Sequence, residues 1–389
     1  MNRSFRSILS FVMPLLLGCA ALAGELSPGA RDLVAKSFQG LDGKAPLVDA
    51  HVHIVGTRNG CEVNPRFFDQ KHPFKRLAGQ IYMKAGGTND LAVFDETYVK
   101  TLAERARVFG HPIRLHILAM DHAYRADGTL DRDHSDFYVP NGYVVSLAQA
   151  HPGLFVPVIS VHPARADALA ELDRWAAKGV RWVKWLPNAQ GMDPADPRWD
   201  SFYRKMASHG MILLAHTGEE KAVSAAGAQA LGNPLRLRRP LDLGVRVVAA
   251  HCASAGRNAD LDHPGKTARN FDLFLRLMAE DRYRGRLYGD ISAMTLFNHL
   301  PGAMRELLRR PDIQARLLNG SDYPLPAIRP LTWTTQAVAL KLITPAERKA
   351  LNEINRQDPL LFDFVLKRTL RDPRTGGKLE DALFTRTLE

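Results

Sequence analysis

The chain has 389 residues, 46% hydrophobic and 24% charged, with a formal net charge of +11. Such length and apolar content can bury a sizeable core, which excludes a disordered or low-complexity polypeptide. The Lys and Arg are scattered, as at Arg236, Arg238 and Arg239 or Arg282, Arg284 and Arg286, with no long basic run. No nucleic-acid partner is therefore expected. The surplus charge suits an anionic small-molecule substrate, an anionic lipid surface or plain solvation.

Residues 1–23 read as an export signal. Arg3 and Arg6 precede the apolar run ILSFVMPLLLGCAALA, and Ala21-Leu22-Ala23 forms an A-x-A cleavage pattern. Leu16-Leu17-Gly18-Cys19 also resembles a bacterial lipobox, whose cysteine becomes a lipid-bearing N-terminus. The run is short for a membrane span and contains Pro14. The expectation is an exported protein, either soluble in the periplasm or a lipoprotein anchored through Cys19. Only Cys61 and Cys252 then remain, too few for a disulfide framework.

Residues 24–45 read as a short helix and polar linker, and one domain is expected over 46–389. Within it, apolar runs rich in β-branched residues recur at 47–54, 113–120, 155–161, 180–186, 211–217, 245–251, 287–293 and 316–321. They are nearly continuously hydrophobic, as strands buried on both faces are. Helical patterns separate them at 94–110 (Asp95 the expected N-cap), 141–153, 164–179, 196–210, 267–282 and 303–310, and a last one covers 344–370. Gly179 and Gly210 suit helix C-termini. The connection 218–244 is Ala-rich and then Pro- and Arg-rich, without a clear pattern. Eight β–α units predict a parallel (β/α)8 TIM barrel, with an open doubly wound sheet as the alternative.

The polar residues fall where such a barrel does its chemistry. His51 and His53 end the first run (LVDAHVH), and Asp49 shares their alternation. Lys184 lies late in the fourth run, His216 ends the fifth, His251 the sixth and Asp322 the eighth. Strand C-terminal ends converge on one face of the barrel, and residues two apart on a strand point the same way. A lone histidine at a strand end is usually a hydrogen-bonded core residue. Ligand-competent groups from five strands at one mouth instead predict a metal site. Imidazoles with a carboxylate suit zinc or a related divalent cation, which lowers the pKa of a bound water to about 7. Asp322 beside it can accept that water's proton.

This ordered set, carried by VDAHVH, GVRWVKWLPNAQGMDPADPRW, LLAHTGE, VVAAHC and NGSDYP, resembles the amidohydrolase superfamily, above all its amidohydrolase-related branch. The resemblance spans roughly residues 46–370. It implies that His51 and His53 hold a metal and that Asp322 is ligand and general base. In two-metal members the lysine at the position of Lys184 is carboxylated and bridges both ions, and the histidines at 216 and 251 bind the second. In one-metal members His51, His53, His216 and Asp322 suffice, and His251 is catalytic through substrate or water. Homodimers are frequent among such barrels.

Secondary candidates for substrate contact are Arg58, His162, Glu219 and Tyr323, while His116 sits mid-strand and faces either the interior or the helices. The long stretches 55–93 and 121–140, with Cys61, Arg66, His72 and Lys75 in one and Asp121, His122 and Arg125 in the other, read as walls around the mouth. The reading is a metal-dependent hydrolase attacking an amide, lactone or other ester carbonyl. The rivals are a one-metal non-oxidative decarboxylase of a small aromatic or unsaturated acid, and a non-catalytic binding lipoprotein.

Overall fold

The computed structural model describes residues 26–225 and 228–388. The export segment, with Cys19, lies outside the described residues. Eight strands form the predicted barrel: β1 (Leu47–His53), β2 (Ile113–Leu118), β3 (Phe155–Ile159), β4 (Trp182–Trp185), β5 (Ile212–His216), β6 (Arg246–Ala250), β7 (Leu287–Asp290) and β8 (Leu317–Leu318). They pair in parallel in chain order. The ring closes where the chain around β8 meets β1, with Ala50 N–H donating to Asn319 O and Asp322 N–H to His51 O, each at 2.9 Å. Closure leaves no sheet edge, so the open-sheet alternative is excluded.

Most helices around the barrel lie where the 3.6-residue patterns are, whereas Pro73–Gly86 falls in 55–93 and Arg238–Asp242 in 218–244, where no helical pattern is read. The helices are α1 (Pro28–Ser37), α2 (Pro73–Gly86), α3 (Phe94–Val108), α4 (Asn141–Ala150), α5 (Ala168–Ala176), α6 (Asp200–Ser208), α7 (Arg238–Asp242), α8 (Asn270–Ala279), α9 (Arg305–Leu307), α10 (Pro345–Gln357) and α11 (Pro359–Thr369). The last predicted helix divides at Asp358, whose side chain accepts from the N–H groups of Leu360 and Leu361 and so caps α11. Asp95 is not the cap of α3. Val93 holds that position, and the Asp95 carboxylate accepts from the backbone N–H groups of Thr57 and Arg58, at 2.7 and 3.0 Å. It ties down the loop leaving β1. The connection 218–244 resolves into short 3-10 turns and α7. No described helix is long and apolar enough to cross a membrane.

Side chains pack in two shells. Inside the ring, Val48, Ala50, Leu118, Val158, Trp182, Ile212, Leu214, Val248, Ala250 and Leu318 form one cluster, closed below by Leu388. Each such burial contributes about 1.5–3 kcal/mol for the larger aliphatics. His116 belongs to this interior, edge-on to Trp182 with ring centroids 4.8 Å apart. The second and larger shell lies between strands and helices. Cys61 and Cys252 are buried free thiols.

Lys367 of α11 is fully buried beneath β8. Its ammonium donates to Asp363 Oδ2 at 2.5 Å and to Gly320 O at 2.6 Å. Removing one partner of a buried pair strands the other charge, at a cost of about 3–5 kcal/mol. Lys367→Met should lower unfolding free energy by that order in urea titration, and Asp363→Leu/Lys367→Met should recover most of it.

Candidate metal centre

The first strand is not regular where its histidines lie. The β1–β2 register shifts between Asp49 and Val52. A bulge inserts one residue and reverses which side chains face in. Val48 and Ala50 face the interior below the bulge, Val52 joins the outer shell, and His51 and His53 reach the mouth above it. Asp49 therefore does not share their face. It accepts from Ser321 N–H at 2.8 Å and, with the Lys367 charge nearby, faces α11. Burial pushes its carboxyl up to about 6.

Hydrogen-bond partners assign the ring tautomers. His51 Nδ1 lies 2.9 Å from Asp290 Oδ2. That carboxylate also accepts backbone N–H groups from His251 at 2.9 Å and Ser292 at 3.0 Å. Burial raises the Asp290 carboxyl, but the His51 ring and the Ser292 hydroxyl outweigh this and hold it below the ordinary carboxylate range. Ionised Asp290 thus takes a proton-bearing Nδ1, and His51 turns its Nε2 lone pair into the mouth. That lone pair accepts from Lys184 Nζ at 3.0 Å, and Asp322 Oδ1 lies 3.5 Å away. His53 Nε2 is 3.1 Å from the same oxygen.

A second chain of contacts runs through the other histidines. His251 Nδ1 lies 3.1 Å from Ser292 O, an acceptor, so that nitrogen carries the proton. Its Nε2 then accepts from His216 Nδ1 at 3.2 Å. His216 Nε2 is left as a buried atom without a hydrogen-bond partner among the described residues, 3.5 Å from Glu220 Oε2. A buried lone pair of this kind is costly in a finished core and is what a cation ligand requires.

The ligand atoms of His51, His53 and Asp322 lie within 4.8 Å of one another, as do those of His51, His251 and Asp290. The second set is better read as support, since Asp290 already holds the far side of the His51 ring. A carboxylate behind a ligating histidine is the usual outer arrangement of metal sites. Two imidazole nitrogens with a carboxylate oxygen, and the bare His216 Nε2 beside them, fit a divalent cation of the zinc type.

The surrounding electrostatics keep these groups in the protonation states a cation would require. Burial, followed by the Lys184 charge, lowers His51 to about 3. Burial and the neighbouring His251 and Lys184 put His216 well below its ordinary value. Asp322 is raised by burial but held well below the carboxylate range by His51 and His53. Lys184 is pushed down to about 8 by burial, against the pull of Asp322, Asp290 and Glu220.

Backbone strain gathers at the same mouth. His251, Cys252, Ala253, Ala293 and Asp322 all have φ between 47° and 60°. Left-handed backbone costs a non-glycine residue about 1–2 kcal/mol. Gly320 permits the close approach of β8 to β1, since a Cβ there would meet His51 Cβ at 2.9 Å.

Four candidates stand elsewhere. His162 has both ring nitrogens committed, accepting from Ala164 N–H and donating to Gln190 O, each at 3.1 Å. Tyr323 packs outward, edge-on to Tyr98, with its hydroxyl on Arg105 and Ala85 O. Glu219 pairs with Lys221 at 3.1 Å, and the buried acid beside His216 is its neighbour Glu220. The turn at Gly218 (φ +94°), where a Cβ would meet Ala255 O at 2.8 Å, breaks the strand alternation there. Arg58 is exposed, and its backbone N–H serves Asp95. The loop 55–93 does build a wall. In α2, Tyr82 donates to Ala222 O at 3.2 Å, and Lys75 bridges Asp136 and Ser224 at 2.7 and 2.6 Å. In 121–140, Asp121 is spent on Arg165 and His162 N–H, Arg125 pairs with Asp131, and His122 stacks on Tyr138.

The motif pattern did not single out Asp290, although an Asp at the end of the run LYGDISA was a legible signal of the same kind as Asp322. Glu220, Ser254, Ser292 and His299 gave no such signal.

Lys184 yields a pH test on chelator-treated protein. The unfolded chain holds its proton up to the ordinary 10.5, the folded chain only to about 8. Between these values the unfolded state binds more protons, so stability rises with pH. The stability of wild type relative to Lys184→Met should increase over that window by up to about 3 kcal/mol, measured by urea titration at successive pH values.

The amidohydrolase family model matches residues 48–355. No curated protein matches. Among solved structures, a TIM-barrel protein from Bordetella bronchiseptica is 18% identical, with a TM-score of 0.49 over 82% of this chain and 99% of that one. The 5-carboxyvanillate decarboxylase of Sphingomonas paucimobilis is 12% identical, with a TM-score of 0.45 over 81% and 99%. The 4-oxalomesaconate hydratase of Rhodopseudomonas palustris is 14% identical, with a TM-score of 0.41 over 82% and 98%. The family match covers most of the chain and all the ligand-competent residues of the mouth: the protein belongs to the amidohydrolase family.

Proposed function

We propose that the protein is a metal-dependent hydrolase that cleaves an amide, lactone or other ester. The observation that carries this reading is the convergence of His51 Nε2, His53 Nε2 and Asp322 Oδ1 within 4.8 Å, backed by a carboxylate that orients His51. These three would hold a divalent cation, with His216 and His251 alongside. When bound, the cation supplies Lewis acidity toward a carbonyl oxygen and acidifies water.

The chain's own groups do the proton work. Asp322 is ionised and sits between the two β1 histidines, so it takes a proton from the attacking water and passes it to the departing nitrogen or oxygen. His251, held by Ser292 and Asp290, keeps its Nε2 directed at His216 and the mouth. Lys184 is partly neutral near pH 8, and a neutral amine can add carbon dioxide, losing a proton to give a carbamate. With that anion, His51, His53, His216 and His251 would have the donors to hold a second cation. The export pattern of residues 1–23 supports placing this activity outside the cytoplasm.

The test is metal content per chain, by elemental analysis of protein purified without chelator, followed by assay on lactone, ester and amide panels. Wild type should carry metal, and Asp322→Asn should lower kcat by about 100-fold or more. Two ions falling to one or none in Lys184→Ala supports the carbamate bridge. Carbon dioxide release from aromatic or unsaturated acids without any hydrolysis would replace hydrolase by decarboxylase. A chain that takes up no metal even from zinc-supplemented buffer would sink both.

A further inference from the structure

Directly after β6, His251, Cys252 and Ala253 carry φ of 58°, 47° and 50° in succession. Three consecutive left-handed, non-glycine residues are held only where the surroundings fix them. Cys252 and Ala253 are wholly buried, and Cys252 Sγ donates to Asp290 O at 3.1 Å. The outcome of this turn is the placement of Ser254, whose N–H donates to His251 O at 2.9 Å. The Ser254 hydroxyl meets Nδ1 of His299 at 2.6 Å. His299 belongs to a different loop, the one leaving β7, where its N–H donates to Leu296 O at 3.0 Å. One side-chain hydrogen bond thus joins two β–α loops at the mouth.

The direction of that bond follows from its partners. The Ser254 hydroxyl has one proton and no other protein acceptor among the described residues, which favours donation to Nδ1. The ring proton of His299 then lies on Nε2. His299 is buried, with His251 the nearest of the charged or titratable groups around it. Asp322 and Lys221 complete its charged surroundings. No described protein atom accepts from Nε2, and that nitrogen is not among the sealed, unpartnered atoms of the core. A ring N–H is therefore left open within electrostatic reach of His251 and Asp322, with its far nitrogen held by a serine.

We propose that His299 is a substrate-contacting residue, whose Nε2–H donates to an acceptor oxygen of a ligand seated at the His51–His53–Asp322 centre. The ligand class is an oxygen acid or carbonyl compound: a carboxylate, an ester or lactone carbonyl, or the oxyanion formed from one. Ser254 is the positioning residue, acting through the His299 tautomer. This rests on the hydrolase reading of the mouth, and the experiment separates the two.

The first readout is nitrogen NMR of the 15N-histidine-labelled full chain, with His299 assigned by its absence in His299→Gln. The proton should be on Nε2 at pH 8, where an ordinary imidazole is neutral, and Ser254→Ala should give a mixture of tautomers. A proton on Nδ1 in wild type overturns the proposal. This readout needs no metal and no turnover, so the proposal can fail on it while the hydrolase reading stands. The second readout is calorimetric binding of acetohydroxamate to zinc-loaded protein. His299→Phe should weaken binding about 10-fold at unchanged zinc content, and His299→Gln should retain part of the affinity. Equal affinity in wild type and His299→Phe, or zinc-loaded wild type that does not bind the probe, overturns it.

Discussion

The candidate centre depends on one buried carboxylate. Asp290 ends β7 and gathers the ring N–H of His51 from β1 and the backbone N–H of His251 from β6. Three strands are thereby fixed relative to one another at the point where their side chains must converge. A buried charge survives only when fully hydrogen-bonded, and here the donors are supplied by the same residues whose geometry it sets. The arrangement also decides chemistry. An ionised acceptor behind His51 leaves that ring one way to face, with its lone pair forward.

Strain and irregularity concentrate around this anchor. A regular β1 would align Asp49 with His51 and His53 and send Ala50 outward. The bulge places Ala50 in the packed interior and the two histidines at the mouth, so a solid floor and an open site come from one strand. Gly320 then lets β8 approach His51, and Asp322 turns into the cluster with φ of 60°. The apolar shells below and around the ring provide the free energy that holds these conformations, since the mouth itself contributes little burial.

The barrel was legible from the chain because its strands are buried on both faces and its helices on one. Continuous apolar runs of six to eight residues and amphipathic stretches report these two conditions directly. The eight strands and most helices accordingly appear where the patterns put them, with ends trimmed by a few residues. The misplaced details share a cause. Asp95 and Asp49 are placed by local rules of capping and alternation, and Glu219 by its nearness in sequence to His216. Each instead serves a neighbour distant in sequence or lies beside a turn that breaks the alternation.

By itself, the sequence determined which residues have ligand chemistry and that they stand at strand C-termini. In a closed parallel barrel, that position alone brings His51, His53, Lys184, His216, His251 and Asp322 to one face. Only the tertiary structure decided how those groups are used. Tautomers, proton affinities and the division between ligand and support depend on partners within about 3 Å that come from other strands. Asp290 lies behind His51, where it sets that ring's orientation. His162 is a structural residue because two backbone groups claim its ring. His299 is tied to the turn after β6 because that strained turn brings Ser254 to it. Periodicity records which face a side chain takes, whereas these roles depend on contacts between segments far apart in the chain.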